Sequence, residues 1–224
     1  MDDIRKSNEV VEQIISQIVT LYKRKYDVEF NINIHIIIGL HGSNAFTHRQ
    51  IIPDITFCLE KLSSKEHHLK VIIAHEFGHV LHNILSEQAG VNWANMQWEH
   101  PYTWLLQEGC ATYFSKQIVD VNEEIYFLYE EDREGWLQFA NNNKKEIIKA
   151  FQLDVKHLSS KEVYMEWFSI NGGSRFGYTR LAYFIGYSIL QFLIEKFGEH
   201  KAVMLWKKEE FSHEIEKVLI NFIN

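Results

Sequence analysis

His75, Glu76 and His79 are the residues of this chain whose types and spacing best suit metal-assisted hydrolysis. They fall in the run His75-Glu76-Phe77-Gly78-His79. On a helix, residues four apart lie on one face about a turn apart, so both imidazoles can reach a single ion. Glu76 is too displaced to bind that ion but stands where it can hold a water against it. Zinc would act as a Lewis acid and lower the pKa of the water, and the Glu76 carboxylate would take its proton. One catalytic zinc ion is therefore expected, with Glu76 as general base. Five residues also match by chance in a chain with twelve histidines, so the surroundings must decide.

A hydrolytic zinc site takes three protein ligands and keeps a position for water. A histidine ten residues after His75 would complete one known arrangement, but that position is Leu85. Downstream, the run from Trp104 to Ser115 reads as a helix in which Glu108 is the one acidic residue. Gly109 and Ala111 are small enough to let this helix approach the His75–His79 helix closely. Glu108 is therefore the expected third ligand.

His-Glu-x-x-His followed by glutamate in a Glu-Gly-x-Ala-x-Tyr setting resembles the gluzincin (HExxH…E) metallopeptidases. The run Trp104 to Tyr113 is similar to the third-ligand helix of the aminopeptidase-N-like group. Tyr183-Phe184-Ile185-Gly186 resembles the Tyr-x-x-Gly stretch of that group, whose tyrosine stabilises the tetrahedral intermediate. With 28 residues between His79 and Glu108, the chain looks closest to small bacterial Zn-dependent proteases. The resemblance covers mainly residues 65 to 197. It implies His75, His79 and Glu108 as zinc ligands, Glu76 as base and Tyr183 as oxyanion donor, with Tyr187 an alternative one turn on. Two features of the aminopeptidases have no counterpart. Gly42-Ser43-Asn44-Ala45-Phe46 lies where they carry an amine-binding Gly-x-Met-Glu-Asn segment, and Ile185 replaces the lysine of their Tyr-Glu-Lys-Gly run. These departures lean toward cleavage within peptides rather than from a free amino end.

The elements that must position these residues can also be read. Lys65 to Ser86 forms one helix, with Ser63 and Ser64 as offered caps and Leu69, Ile72, Ile73, Phe77, Val80, Leu81 and Leu85 at helical spacing. Val10 to Lys25 is an amphipathic helix with Val10, Ile14, Ile15, Ile18, Val19 and Tyr22 on its apolar side. Phe30 to Ile36 alternates as a half-buried strand should, and Gly39 and Gly42 end the run. Ile51 to Leu59 supplies a further strand whose Pro53 suits an edge. Either Ala45 to Gln50 or Ile55 to Leu59 would be the edge that pairs with an extended peptide. Helices then follow at Tyr102–Val119, Glu123–Asn141, Lys144–Phe151, Tyr178–Phe197 and Lys201–Phe222.

The expected fold is thus α+β and zincin-like, in one domain over 1–224. A small N-terminal sheet lobe covers about 1–62, the HExxH active-site helix about 65–86 and a mostly helical lobe about 102–224. The cleft would lie between the lobes.

At 224 residues, with 46% hydrophobic and 14% aromatic content, the chain can build a substantial core. A formal charge of −7 offers no general attraction to nucleic acid or anionic lipid, so peptide or protein is the expected partner. The start Met1-Asp2-Asp3-Ile4-Arg5-Lys6 lacks an apolar signal core, and Leu181 to Ile194 is short for a membrane span. Cytoplasmic location and no membrane association are expected. Cys58 and Cys110 read as reduced core residues. His82 reads as a partly exposed neighbour of the motif, Arg175 and Arg180 as solvated residues beside the Asn171–Ser174 loop, and Trp93, Trp98 and Trp104 either as pocket walls or as packing. The function these features imply is a zinc-dependent peptidase with Glu76 activating a zinc-bound water. A regulatory or scaffold protein of zincin fold, or a protease of narrow specificity, is the alternative.

Overall fold

A computed structural model describes residues 2–39, 44–132 and 134–223, with side chains from residue 9 onward. The Gly42 and Ser43 positions of the amine-binding comparison lie outside the described residues. Helix α1 (Asp2–Tyr26) turns Val11, Ile14, Ile15, Ile18 and Tyr22 inward, a stripe at helical period, and ends on Lys23, Arg24 and Lys25, whose charges suit a helix C-terminus. Val11 fills the first position of that stripe, while Val10 faces solvent.

Strands β1 (Ile34–Ile37), β2 (Ala45–Thr47) and β3 (Ile55–Cys58) form a sheet of order β1-β3-β2. β1 runs parallel to β3, with Ile34 opposite Ile55, and β2 runs antiparallel to it, with Ala45 opposite Phe57. β3 is buried at all four residues and paired on both sides. The expected edge position for Ile51–Leu59 is therefore wrong. Pro53 precedes the ladder, so its missing N–H removes no rung. β2 is the edge nearest the helices.

Helix α2 (Glu66–Gln88) is buried on almost every side and runs through the centre of the molecule. Lys65, rather than a serine, holds its N-cap position, while Ser63 accepts the Lys65 N–H at 3.2 Å and bonds the His68 Nδ1 at 2.9 Å. Tyr22 donates to the Ala74 carbonyl at 2.7 Å and ties α1 to α2 one residue before His75.

Helix α3 (Pro101–Ile118) starts with proline in its first turn, where no N–H partner is needed, and with the His100 ring accepting the Tyr102 N–H. The expected Glu123–Asn141 helix is broken into α4 (Ile125–Leu128) and α5 (Trp136–Asn142). Tyr129 at φ 60° and Gly135 at φ 72° end one and open the other, and Asp132 accepts the Trp136 and Leu137 N–H groups at 2.8 Å. Helix α6 (Lys144–His157) runs beyond its expected end. Helix α7 (Ser160–Trp167), absent from the expected set, opens on a Ser159/Glu162 capping box, a Ser-x-x-Glu signal carried by the sequence itself. Helix α8 (Leu181–Phe197) begins three residues later than expected. The expected Lys201–Phe222 helix is divided into α9 (Glu199–Val203) and α10 (Phe211–Ile223), with Trp206 between them.

Three helices stack with almost no side chain between them. A Cβ added to Gly78 of α2 would meet the Ala111 carbonyl oxygen of α3 at 2.9 Å. One added to Gly109 of α3 would meet the Gly186 oxygen of α8 at 2.5 Å. Ala111 thus faces α2 as expected, but Gly109 faces α8 instead. The whole is α+β, a small three-stranded sheet against a helical body. Among the described residues, no helix is long and apolar enough to cross a membrane.

Candidate active site

Close approach of α3 to α2 brings Glu108 to the two imidazoles. The Nε2 of His75 lies 3.1 Å from the Glu108 Oε2, and the Nε2 of His79 lies 3.5 Å from the same oxygen. The three donor atoms fall within 4.8 Å of one another. Zn–N and Zn–O bonds of about 2.0–2.1 Å in a tetrahedron put neighbouring ligand atoms roughly 3.3 Å apart. The two distances to Glu108 are edges of that size, and two imidazoles with one carboxylate are a donor set suited to zinc.

Electrostatics agree with this fit. Burial pushes the His75 imidazole down to about 4, against the opposing bond to Glu108, and so leaves it neutral with a lone pair to share. Burial also acts to lower His79, but the charge and hydrogen bond of Glu108 outweigh it and hold that ring above its ordinary value. Burial works to raise Glu108; the His79 charge and the His75 bond overcome it, and the carboxyl stays ionised well below the usual range. Positive charge is favoured at the point where the three meet. Among the described residues, the buried Nδ1 of His75 has no hydrogen-bond partner, so none of them supplies the carboxylate or carbonyl that commonly orients a ligating histidine.

Glu76 is 7% exposed and lines the same cavity; burial pushes its carboxyl up to about 7. The Tyr183 ring stacks on His75 at 5.9 Å between centroids, and burial raises its phenol well above the usual value, so the hydroxyl keeps its proton. Tyr187 does not share this cavity: its ring packs on Phe127 and under the Lys116 ammonium. Two residues read otherwise belong here. Arg180 is buried, not solvated, and its guanidinium lies 4.3 Å from the Tyr129 ring centre and 4.7 Å from that of Tyr183. Tyr129 in turn packs edge-on to His75. Both Arg180 (φ 61°) and Tyr129 (φ 60°) adopt the left-handed conformation, which costs a side-chain-bearing residue on the order of 1 kcal/mol and is common beside functional sites. No sequence signal announced the pair, because their meeting depends on the turn after α4 reaching the start of α8.

Two cavities meet at the cluster. One, of about 640 Å³, contains His75, Glu76, His79, Glu108, Arg180 and Tyr183 in its wall. The other, of about 610 Å³, lies beyond His79 and is walled by Ile51, Pro53, Trp98 and Trp104. Thr47 of β2 borders both. Trp98 and Trp104 are thus pocket walls, while Trp93 stacks behind Trp98.

The remaining expectations fall away from the cluster. His82 is fully buried rather than partly exposed, bonds the Val203 oxygen at 2.7 Å and stacks on Trp206. Arg175 pairs with Asp154. Cys58 and Cys110 are free and buried. A second grouping, His67, His68 and Glu131, has similar spacing, but the Lys65 ammonium sits 2.5 Å from the Glu131 oxygen that faces both rings.

Residues 1–205 match the family described as "Putative zinc dependent peptidase (DUF5700)", and the chain belongs to that family. Comparison with curated proteins and with solved structures finds no match.

Proposed function

We propose that this chain is a zinc-dependent peptidase of gluzincin type, folded as a single zincin-like domain, with His75, His79 and Glu108 as the ligands of one zinc ion. The observation that carries the reading is the convergence of both Nε2 atoms on the Glu108 Oε2 within a cavity that also contains the Glu76 carboxylate. His75, His79 and Glu108 would hold the zinc, which would supply Lewis acidity toward a scissile carbonyl and make the attacking water more acidic.

The chain's own groups supply the rest. Glu76, as general base, accepts the proton of the attacking water on a carboxylate oxygen and passes it to the departing amide nitrogen. Tyr183 donates its hydroxyl hydrogen to the carbonyl oxygen as that atom gains charge; its buried surroundings keep the proton in place. Strand β2 borders both cavities, so an extended peptide that pairs with its open edge crosses the cluster. β3 has no free edge for this task.

The test is Glu76→Gln against wild type on a randomised peptide library, with and without chelator. Wild type should cleave in a chelator-sensitive way, and the variant should retain zinc yet lose cleavage. Undiminished cleavage by Glu76→Gln would remove the base from the mechanism. Bound zinc with no cleavage by wild type would favour a scaffold role or one narrow target.

A further inference from the structure

We infer that Arg180 is a substrate-binding residue that recognises a carboxylate on the peptide, close to the scissile bond. Arg180 is 6% exposed and lines the cavity that contains the histidine–glutamate cluster. A guanidinium carries five N–H donors and cannot be neutralised. Its Nη1 donates to the Leu128 carbonyl at 3.3 Å, and its faces lie against Tyr129 and Tyr183. Yet among the described residues no carboxylate forms an ion pair with it; Glu108 acts on it as a charge across the cavity and is engaged with both histidines. A buried cation without an anionic partner is costly unless a ligand supplies the charge. The forked donors match a carboxylate, which takes two parallel hydrogen bonds.

The surroundings favour the same ligand. Lys61, Asn44 and Asn171 line the Arg180 cavity, whereas the cavity beyond His79 combines Ile51, Pro53, Trp98 and Trp104 with polar groups, its Arg49 being paired with Glu99. Helix α8 starts at Leu181 without a side-chain cap, so its first N–H groups add partial positive charge at the same place. A peptide across the cluster therefore meets a buried, unpaired guanidinium on the Arg180 side, where an anionic group fits. The anion is the terminal carboxylate of a short peptide or an Asp or Glu side chain.

The inference rests on the peptidase reading for the identity of the ligand, but its test does not require turnover. Zinc-loaded Glu76→Gln protein is exposed to two randomised hexapeptide pools, one with free C-terminal acids and one amidated, and bound peptides are counted by mass spectrometry. The acid pool should be retained roughly ten- to hundred-fold over the amide pool, the range of a charge-assisted pair. Adding Arg180→Gln should abolish that preference and Arg180→Lys should keep part of it. Retention of amidated peptides enriched in Asp or Glu, lost with Arg180→Gln, would also support the inference and assign the side chain as the source. Equal retention without such enrichment, or retention of neither pool, overturns it. Should Arg180→Gln fail to fold, the acid–amide contrast in the parent and in Arg180→Lys decides. A wild-type chain that binds acids selectively but cleaves nothing sinks the peptidase reading alone. An Arg180→Lys chain that loses turnover equally on acid and amide substrates, with no change in binding, would assign the residue to the developing oxyanion and overturn carboxylate recognition.

Discussion

Gly109 and Gly186 touch backbone to backbone: a Cβ on Gly109 would lie 2.5 Å from the Gly186 carbonyl oxygen, and one on Gly186 would lie 2.3 Å from the Leu105 carbonyl oxygen. Glu108 precedes the first of these glycines, and Tyr183 sits one helical turn before the second. The spacing of α3 and α8 therefore sets where the third proposed ligand and the proposed oxyanion donor stand relative to each other. Gly78 does the same between α2 and α3, from inside the histidine motif.

Gly186→Ala should consequently lower both stability and zinc affinity. Alanine gains about 1 kcal/mol in helix propensity over glycine, but the new methyl meets backbone, which cannot rotate away, and overpacking costs about 1–3 kcal/mol or more. The steric effect should win. Gly90→Ala is the control, since Gly90 has φ 70° and open space around it. It should cost roughly 1–2 kcal/mol of backbone strain and leave zinc affinity alone. Thermal unfolding and a chelator competition measure both variants; equal zinc affinity in Gly186→Ala and wild type would show that helix spacing does not govern the cluster.

Glu108→Gln keeps the side-chain size and removes the charge. Zinc affinity should fall by more than roughly 100-fold, beyond what loss of a group behind a ligand produces. The metal-free protein should also be less stable at neutral pH, because the amide leaves the buried His79 ring without the charge that holds its proton. Chelator competition and thermal unfolding of the metal-free protein separate the two effects. Unchanged zinc affinity would take Glu108 out of the ligand set.

Much of this site was legible because it is local. The motif residues share one helix, and the apolar residues around them announce that helix. Glu108 was reachable because it is the lone acid in a second apolar helix. What the sequence hid depends on partners far along the chain. Arg180 follows a Gly-Gly-Ser loop and reads as solvated; its burial comes from Tyr183 and from Tyr129, 51 positions earlier. Gly109 reads as a contact for α2 because Gly186 cannot be seen as its partner from α3 alone. β3 reads as an edge because Pro53 looks internal, when the ladder begins only at Ile55. Local periodicity finds elements; which face meets which neighbour is a tertiary property.

Tyr183→Phe removes one hydroxyl and keeps the ring that stacks on His75 and carries Arg180. If that hydroxyl stabilises the oxyanion, kcat on a library-selected peptide should drop by roughly 10²–10³-fold, with zinc content unchanged. Tyr187→Phe, outside the cavity, should retain wild-type kcat. A Tyr183→Phe enzyme of normal kcat would leave the oxyanion to other groups.

His82 should make the metal-free protein sensitive to mild acid. Burial holds its imidazole down at about 3, against the bond to the Val203 oxygen, while in the unfolded chain it titrates near 6.5. Above 6.5 both states are neutral and the buried ring costs nothing. As pH falls below that value the unfolded chain takes up the proton first, so stability is lost across the window from about 6.5 to about 3, at no more than roughly 1.4 kcal/mol per pH unit from this group. His82→Gln retains a donor for Val203 without a titrating ring. It should be less stable at neutral pH, having lost the stack on Trp206 at 3.9 Å, yet its urea midpoint should fall less between pH 7.5 and 5. Other buried histidines contribute equally to both proteins, so the difference between the two curves isolates His82. Parallel curves would show that the ring is not held neutral by the fold.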